Sequence, residues 1–157
     1  MKRAFNQNEL LPKNKFDLKE LLDFFKIATL TDMVPLIEDN RVFVKHGLVQ
    51  LENTKKPGLR VLINELGLSG MKMTSQDIGM KLAPKINALS RMENGLLPRD
   101  LYLVETIKEA RDLVTQVLQN NSDRVQRQSE AEIKARELLT DWNDPNFVFV
   151  VSEHFHR

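Results

Sequence analysis

Apolar residues recur along most of the chain at intervals of three and four, the pattern of amphipathic helices. They repeat in this way before Pro35, between Asn40 and Gly67, after Thr74, and again over residues 107–139. A short run of β-forming residues, 147–151, follows a turn near the end of the sequence. The pattern therefore predicts a mainly α chain with one buried strand close to its end.

Local signals predict where several helices begin, end or bend. Pro57 favours the first position of a helix, and Gly67 is typical of the residue that ends one. Thr74 is followed three residues later by Asp77, a spacing that predicts a capping box at a helix N-terminus. Pro84 lies inside the next apolar stripe, where we expect it to kink or split the helix.

Residues 107–139 contain no glycine or proline and predict one long helix, on the order of 50 Å in length. Its stripe is apolar at both ends and polar at Asn121 and Gln128. That distribution is typical of a helix that packs at each end and crosses solvent between. A surface helix or a coiled-coil arm is the alternative, and the polar stripe positions weigh against a tight coiled coil.

Composition narrows the classes of function. The chain has 157 residues, of which 41% are hydrophobic and 29% charged, as in an ordinary globular domain. Its net charge is +1, so attraction to nucleic acid requires local clusters of cations. The absence of cysteine excludes disulfides and thiolate zinc sites and fits a reducing cytoplasm. No apolar run reaches membrane length, so we expect no membrane partner.

Asp32 is the first candidate for chemistry. It lies at the predicted end of the first helix, in the nearly apolar stretch 27–36. Negative charge is disfavoured at a helix C-terminus, and burial among apolar neighbours would add a cost of desolvation. A bound metal cation would offset both costs. A turn aspartate that accepts hydrogen bonds from backbone N–H groups explains the same position, and the residues alone leave both interpretations open.

Two further groups are candidates for binding. Lys85 and Arg91 lie six residues apart with Asn87 between them, and two cations with an amide can hold a phosphate by charge-assisted hydrogen bonds. A solvated helix face is the alternative. At the end of the chain, His154 and His156 have the spacing that puts both on one side of a strand, where they could bind a metal. A frayed terminus is the alternative there.

The first two groups lie in segments that resemble one known family. Residues 28–36, Ala-Thr-Leu-Thr-Asp-Met-Val-Pro-Leu, resemble the fourth motif of RecJ-type single-strand-DNA exonucleases, which belong to the DHH phosphoesterase superfamily. Asp32 matches a family aspartate that binds a divalent metal, and Thr31 stands where the family has a small residue. The stretch 83–91 resembles the family segment Gly-Pro-Arg-Leu-Asn-Ala-x-x-Arg.

The second segment departs from the family pattern at positions that include Ala83 and Lys85. Ala83 replaces the glycine, and Lys85 replaces the first arginine. Lysine keeps the charge but lacks the planar fork of arginine, which puts bidentate phosphate contact in question. Asn87 and Arg91 match. His156 matches the entry to a Trp-His-x-Gly segment of the second domain of the family.

The resemblance implies a fold and a division into domains. The Asp-x-Asp and Asp-His-His motifs of the superfamily are absent from these residues. We therefore expect a mainly α fragment of an α/β protein. In this interpretation residues 1–105 form the end of the DHH catalytic domain and 106–140 form a long connecting helix. Residues 141–157 would be the truncated start of the DHH-associated domain, including its first strand.

The resemblance also implies a function. The chain would be part of a cytoplasmic exonuclease that hydrolyses single-stranded DNA from the 5′ end with Mn or Mg, in DNA repair and recombination. Asp32 would bind the metal, and Lys85, Asn87, Arg91 and His156 would contact the strand. We expect no cleavage by the chain alone, because it supplies one matched ligand. Another phosphoesterase of the superfamily, acting on short oligonucleotides, and a helical interaction module without chemistry are the alternatives.

Overall fold

The computed structural model describes residues 21–89, 98–139, 150–152 and 155, and within them it is helical without a strand. The helices are α1 (Leu22–Thr31), α2 (Glu38–Glu52), α3 (Pro57–Glu65), α4 (Ser75–Asp77), a π-helical segment (Ile78–Leu82), α5 (Ala83–Leu89), α6 (Pro98–Leu103) and α7 (Ile107–Leu138). None of the described helices is both long and apolar enough to cross a membrane.

The core lies between α3, the π segment, α5, α6 and the first half of α7. Helix α7 contacts α3, α5 and α6, and α3 also contacts α6. Eight of the apolar side chains in this core are at most 1% exposed: Leu59, Leu62, Ile78, Leu82, Leu89, Leu101, Val114 and Val117. Burial of so many large apolar groups in one cluster is the main favourable term for this fold.

Helices α1 and α2 pack on each other and join the core through the π segment and α5. Gly47 permits the close approach of α1 and α2. A Cβ atom at this position would lie 2.6 Å from the backbone oxygen of Leu22 and 2.9 Å from the Cβ of Lys26. The pair is therefore held at a distance that a larger residue at Gly47 would not allow.

The local signals for helix ends are confirmed. Pro57 is the first residue of α3, and Gly67, with φ +68°, follows the end of that helix in the left-handed region. The backbone N–H of Asp77 donates to Thr74 Oγ1 at 3.2 Å, and the backbone N–H of Thr74 donates to Asp77 Oδ2 at 3.0 Å. These two bonds are the capping box that the sequence predicts.

The predicted split at Pro84 takes the form of a π segment. Residues Ile78–Leu82 are π-helical, and α5 begins at Ala83, so that Pro84 lies in its first turn. Proline has no N–H to donate, and its ring excludes the carbonyl one turn earlier. A widened turn before Pro84 accommodates both effects. Such π-helical turns are frequent at functional sites.

The long helix is confirmed, but the packing predicted at its far end is not found. Ala110, Leu113, Val114 and Val117 are buried, whereas no side chain from Asn121 to Leu139 is. An unpredicted capping box starts α7, because Thr106 Oγ1 accepts from the backbone N–H of Glu109 at 3.2 Å. The distal half of α7 therefore projects from the described core.

The structure does not confirm the strand predicted over 147–151. Val150 and Val151 are not in a strand, and residues 147–149 lie outside the described residues. Arg91, His154 and His156 lie outside them as well.

Candidate metal and nucleic-acid site

Asp32 is the residue that ends α1. Its backbone N–H donates to the Ala28 carbonyl at 3.0 Å, and the next residue, Met33, takes φ +53°. The N–H of Val34 then returns to the Thr29 carbonyl at 3.0 Å. These bonds fold the chain sharply after the helix, which fixes the Cα of Asp32 at the negative end of the α1 dipole.

The apolar neighbours of Asp32 do not bury it. Asp32 is exposed, Met33 is 87% exposed and Val34 is 38% exposed. The positive φ of Met33 turns the chain away from the core, so the apolar stretch does not cover the carboxylate. Within the described residues the Asp32 carboxylate has no hydrogen-bond or ion-pair partner, so both of its oxygens are available to a cation.

A groove of about 600 Å³ brings the first two sequence motifs together. Thr31 at the end of α1 and Met33 in the loop that follows flank Asp32 and line this groove, and α5 contributes Pro84 and Asn87. The opposite wall includes Arg124 from the middle of α7. Residues that are more than ninety positions apart in sequence therefore share one cleft, and its volume lies within the range that holds small organic ligands.

The basic side chains near this groove have unequal roles. Lys85 is half-buried on α5 and has no ion-pair partner among the described residues. Lys81, one turn before Lys85, donates to Asp77 Oδ1 at 2.9 Å. This bond and those from Thr74 hold the pKa of Asp77 well below its usual range. Lys81 therefore serves the helix start rather than an open cationic surface.

A second groove, of about 630 Å³, is lined by the end of α2, by α3 and by the start of α7. It mixes cations and carboxylates, among them Arg60, Arg111, Glu52 and Glu65. None of the residues from the two family-like motifs lies in it. The groove beside Asp32 is therefore the better candidate for the chemistry that the sequence suggests.

Sequence reasoning missed a buried polar cluster on α1. Asp23 is 1% exposed, and its Oδ2 accepts from Lys56 Nζ at 2.6 Å and from Thr54 Oγ1 at 3.1 Å. The Lys56 ammonium also lies 4.3 Å from the centre of the Phe24 ring. The signal was present as a carboxylate inside the apolar stripe 21–30. These contacts tie α1 to the loop before α3 and thereby orient the helix that carries Asp32.

Lys26, one turn after Asp23, is buried without a hydrogen-bond acceptor for its Nζ. Burial lowers the pKa of Lys26 to about 7, although the charge of Glu52 opposes this shift. Burial of the charged form of Lys26 in the α1–α2 interface is unfavourable, and it lowers the stability of the fold at neutral pH. It does not line the groove.

Comparison with known proteins decides the family. The chain is 33% identical over 120 residues to the single-stranded-DNA-specific exonuclease RecJ of Bacillus subtilis, a match that covers 76% of this chain and 15% of that protein. Its structure matches RecJ of Thermus thermophilus in complex with Mn²⁺ with a TM-score of 0.69 and 30% identity, over 90% of this chain and 20% of the other. The chain belongs to the RecJ family.

A second RecJ structure from Thermus thermophilus, in complex with Mg²⁺, matches with a TM-score of 0.67 and 28% identity, over 90% of this chain and 21% of the other. No protein-family model matches the chain. The chain spans 15% of the Bacillus subtilis relative and 20–21% of the two Thermus thermophilus structures.

RecJ of Thermus thermophilus has been solved in complex with Mn²⁺ and with Mg²⁺, which agrees with the expectation of Mn or Mg for this family. In this segment the described residues contain no group of three or more histidine, cysteine, aspartate or glutamate side chains able to hold a metal ion. The exposed, unpartnered carboxylate of Asp32 fits one ligand position for a hard cation, which prefers oxygen ligands. A complete coordination shell would need ligands beyond those of the described residues.

The structure brings together some of the predicted site residues of the RecJ-type segment. The loop at Asp32 and the side chain of Asn87 meet at the groove, and Lys85 lies on the same helix as Asn87. Arg91 and His156 lie outside the described residues. Arg124 was missed because a lone arginine in a polar stretch of a long helix carries no local signal.

Proposed function

We propose that the chain is the part of a RecJ-type exonuclease that supplies one metal ligand and part of the path of the DNA strand. The full enzyme would hydrolyse single-stranded DNA from its 5′ end, in the cytoplasm, during DNA repair and recombination. Asp32 would bind Mn or Mg. Lys85, Asn87 and Arg91 would contact the phosphate backbone, and His156 would approach the strand from the second domain.

One observation carries this proposal: the loop that contains Asp32 and the helix that contains Asn87 border the same groove. A phosphodiester held by the amide of Asn87 would therefore lie close to a metal held by Asp32. That proximity is what metal-assisted hydrolysis requires, because the metal and the reacting phosphate must be positioned together. When bound, the metal would supply Lewis acidity and an activated water.

The residues of the chain then have distinct roles. The Asp32 carboxylate, held at the end of α1, contributes negative charge and two oxygens between Thr31 and Met33, the two neighbours that line the groove. The Asn87 amide can donate to a phosphate oxygen, and the Lys85 ammonium can neutralise charge on a neighbouring phosphate. The Asp23–Lys56 ion pair anchors α1 and so positions the Asp32 loop.

The domain division 1–105, 106–140 and 141–157 is part of the same proposal. The projecting distal half of α7 supports it, since a connecting helix must leave the first domain before it reaches the second. A short-oligonucleotide hydrolase of the same superfamily would use the same metal ligand and is distinguished by substrate length. A helical module without chemistry would not depend on the Asp32 charge at all.

Loss of the Asp32 charge is expected to abolish hydrolysis while strand binding persists. The test is a hybrid in which this chain replaces the matching 120 residues of the Bacillus subtilis relative. Asp32→Asn in the hybrid should lower Mn²⁺-dependent cleavage of labelled single-stranded DNA by more than about 100-fold. Mutation of a residue that only hydrogen-bonds to a metal ligand already lowers metal affinity or activity by roughly 10- to 100-fold. The chain alone, assayed alongside, should not cleave.

Asp39→Asn is the matched control, because Asp39 is an exposed carboxylate in the first turn of α2. The control hybrid should keep its activity. Full activity in the Asp32→Asn hybrid, or equal losses in both, would remove Asp32 from the mechanism. Cleavage by the unaltered chain alone would show that it builds a complete site by itself.

Lys85 is expected to contribute one phosphate contact. In the 157-residue chain, Lys85→Gln should weaken binding of an oligothymidylate and flatten its salt dependence by roughly 0.7 log units per log of salt concentration. Fluorescence anisotropy of a labelled strand over a series of salt concentrations measures this slope. Lys45→Gln, at an exposed position of α2, is the control. Identical slopes for the two variants would mean that Lys85 lies on a solvated helix face and does not contact the strand.

A further inference from the structure

Two polar atoms beside the groove are buried without a partner. The Nε–H of Arg124 and the Oγ1 hydroxyl of Thr31 are both inaccessible to water, and neither has a hydrogen-bond partner among the described residues. Leaving a buried polar group unsatisfied costs on the order of 1–3 kcal/mol, more if the group is charged. Both residues line the groove, although these two atoms are themselves covered.

The guanidinium of Arg124 is oriented without being neutralised. Its Nη1 donates to the amide oxygen of Gln128 at 3.3 Å, a neutral and exposed acceptor one turn along α7. No carboxylate of the described residues pairs with Arg124. Asp32, the carboxylate nearest in sequence to the groove residues Thr31 and Met33, would be neutralised by a bound metal. The groove is thus lined by an arginine whose positive charge is not paired with a carboxylate of the described residues.

We propose that Arg124 is a further strand-binding residue, which holds a backbone phosphate of single-stranded DNA in this groove through its guanidinium group. The inference rests on the proposed function and extends it to the connecting helix. It assigns to α7 a direct contact with the substrate as well as the role of joining two domains.

The walls of the groove fit a single strand rather than a small anion. Met33 and Met80 line it and are 87% and 71% exposed, so two flexible thioether side chains are open to a ligand at its rim. Methionine packs well against aromatic rings, and the bases of a single strand are unpaired and available for such contact. A phosphate on Arg124 with a base on one of the methionines would satisfy the polar and the apolar parts of the groove together.

Arg124→Gln in the 157-residue chain tests the contact. We expect oligothymidylate binding to weaken on the order of tenfold at low salt, the effect of losing one charge-assisted hydrogen bond. The salt dependence should flatten by roughly 0.7 log units. Arg127→Gln removes the same charge from an exposed position of the same helix and should change both quantities much less. Circular dichroism checks that each variant keeps its helix content.

A second variant tests the groove without touching a charge. A Cβ atom at Gly79 would meet no atom within 4 Å, yet Gly79 lines the groove, so a larger side chain there would project into open space. Gly79→Leu should therefore block the strand and weaken binding at least as much as Arg124→Gln. The salt dependence of binding should stay unchanged, because this variant removes no charge.

The outcomes separate this inference from the proposed function. Absence of strand binding by the unaltered chain would overturn both. A flattened slope for Lys85→Gln with equal slopes for Arg124→Gln and Arg127→Gln would overturn the role of Arg124 and leave the proposed function standing. Undiminished binding by Gly79→Leu would show that the strand does not enter the groove and would likewise overturn the inference.

Discussion

Replacement of Gly58 with alanine is expected to destabilise the chain by on the order of 2–3 kcal/mol. Gly58 is the second residue of α3, where that helix crosses α6. A Cβ atom there would lie 2.0 Å from the backbone oxygen of Leu101 and 2.9 Å from Val104 Cγ1. Because the first obstacle is backbone, α6 would have to move as a unit, and Leu101 would leave its fully buried position.

The gain in helix propensity from glycine to alanine, about 1 kcal/mol, offsets part of this loss but not all of it. Urea unfolding followed by circular dichroism measures the difference through the midpoint. Gly79→Ala is the matched control, because its new methyl group would meet nothing within 4 Å. That variant should be stabilised by about 0.4–1 kcal/mol through the unfolded chain. Equal stability of the two variants would contradict the packing described for α3 and α6.

Replacement of Lys26 with methionine is expected to stabilise the chain by on the order of 1–4 kcal/mol at pH 7, the range seen when buried charged groups give way to apolar ones. Lys26 is fully buried between α1 and α2, and its Nζ has no hydrogen-bond acceptor. Methionine retains the length of the side chain and removes the ammonium. A thermal or urea denaturation series at neutral pH measures the gain.

The pH dependence of stability gives an independent signature of Lys26. Its pKa is lowered from 10.5 in the unfolded chain to about 7 in the folded chain, mainly by desolvation. Between these two values the unfolded state binds more protons, so the free energy of unfolding rises with pH. We expect a gain of about 1–2 kcal/mol from pH 7 to pH 9 in the unaltered chain. The methionine variant should lack this rise.

Tyr102 sets the upper limit of the pH range in which this rise in stability can be measured. Burial, with a further contribution from the charge of Asp23, raises the pKa of Tyr102 to about 12 from the ordinary 10. Above pH 10 the unfolded state therefore loses this proton first, and stability falls as the pH rises further. The free energies of unfolding of the unaltered chain and of Lys26→Met are therefore compared between pH 7 and 9. The chain has no cysteine that would titrate in this range.

Lys45→Met is the control for Lys26→Met, since Lys45 is exposed on α2. It should leave both the stability and its pH dependence nearly unchanged. A loss of stability in Lys26→Met, or a pH-dependent rise that persists in it, would mean that the Lys26 ammonium is satisfied in the folded state.

Helix ends were predictable because their causes lie within a few residues of each other. The capping box of Thr74 and Asp77 needs two side chains one turn apart, and Pro57 starts α3 because its fixed φ and missing N–H suit that position. The break before α5 follows from Pro84 in the same way. The order of the amino acids specifies these features whatever the rest of the chain does.

Family membership was also present in the sequence, in two short motifs that carry Asp32 and Asn87. The surroundings of those residues were not. The apolar neighbours of Asp32 made burial a possibility with a cost in desolvation, but the chain turns at Met33, which has a positive φ, and Asp32 is exposed. Whether a neighbour in sequence is also a neighbour in space depends on that one backbone angle.

The buried ion pair and the groove were decided by tertiary structure alone. Asp23 meets Lys56 across 33 positions of sequence, and Thr31 and Asn87 meet Arg124 across longer intervals still. Periodicity assigns each of these residues to a face of its own helix but does not say which faces meet. Packing of α1, α5 and α7 around one core sets that choice, because the burial of many apolar side chains outweighs the preferences of a few polar ones.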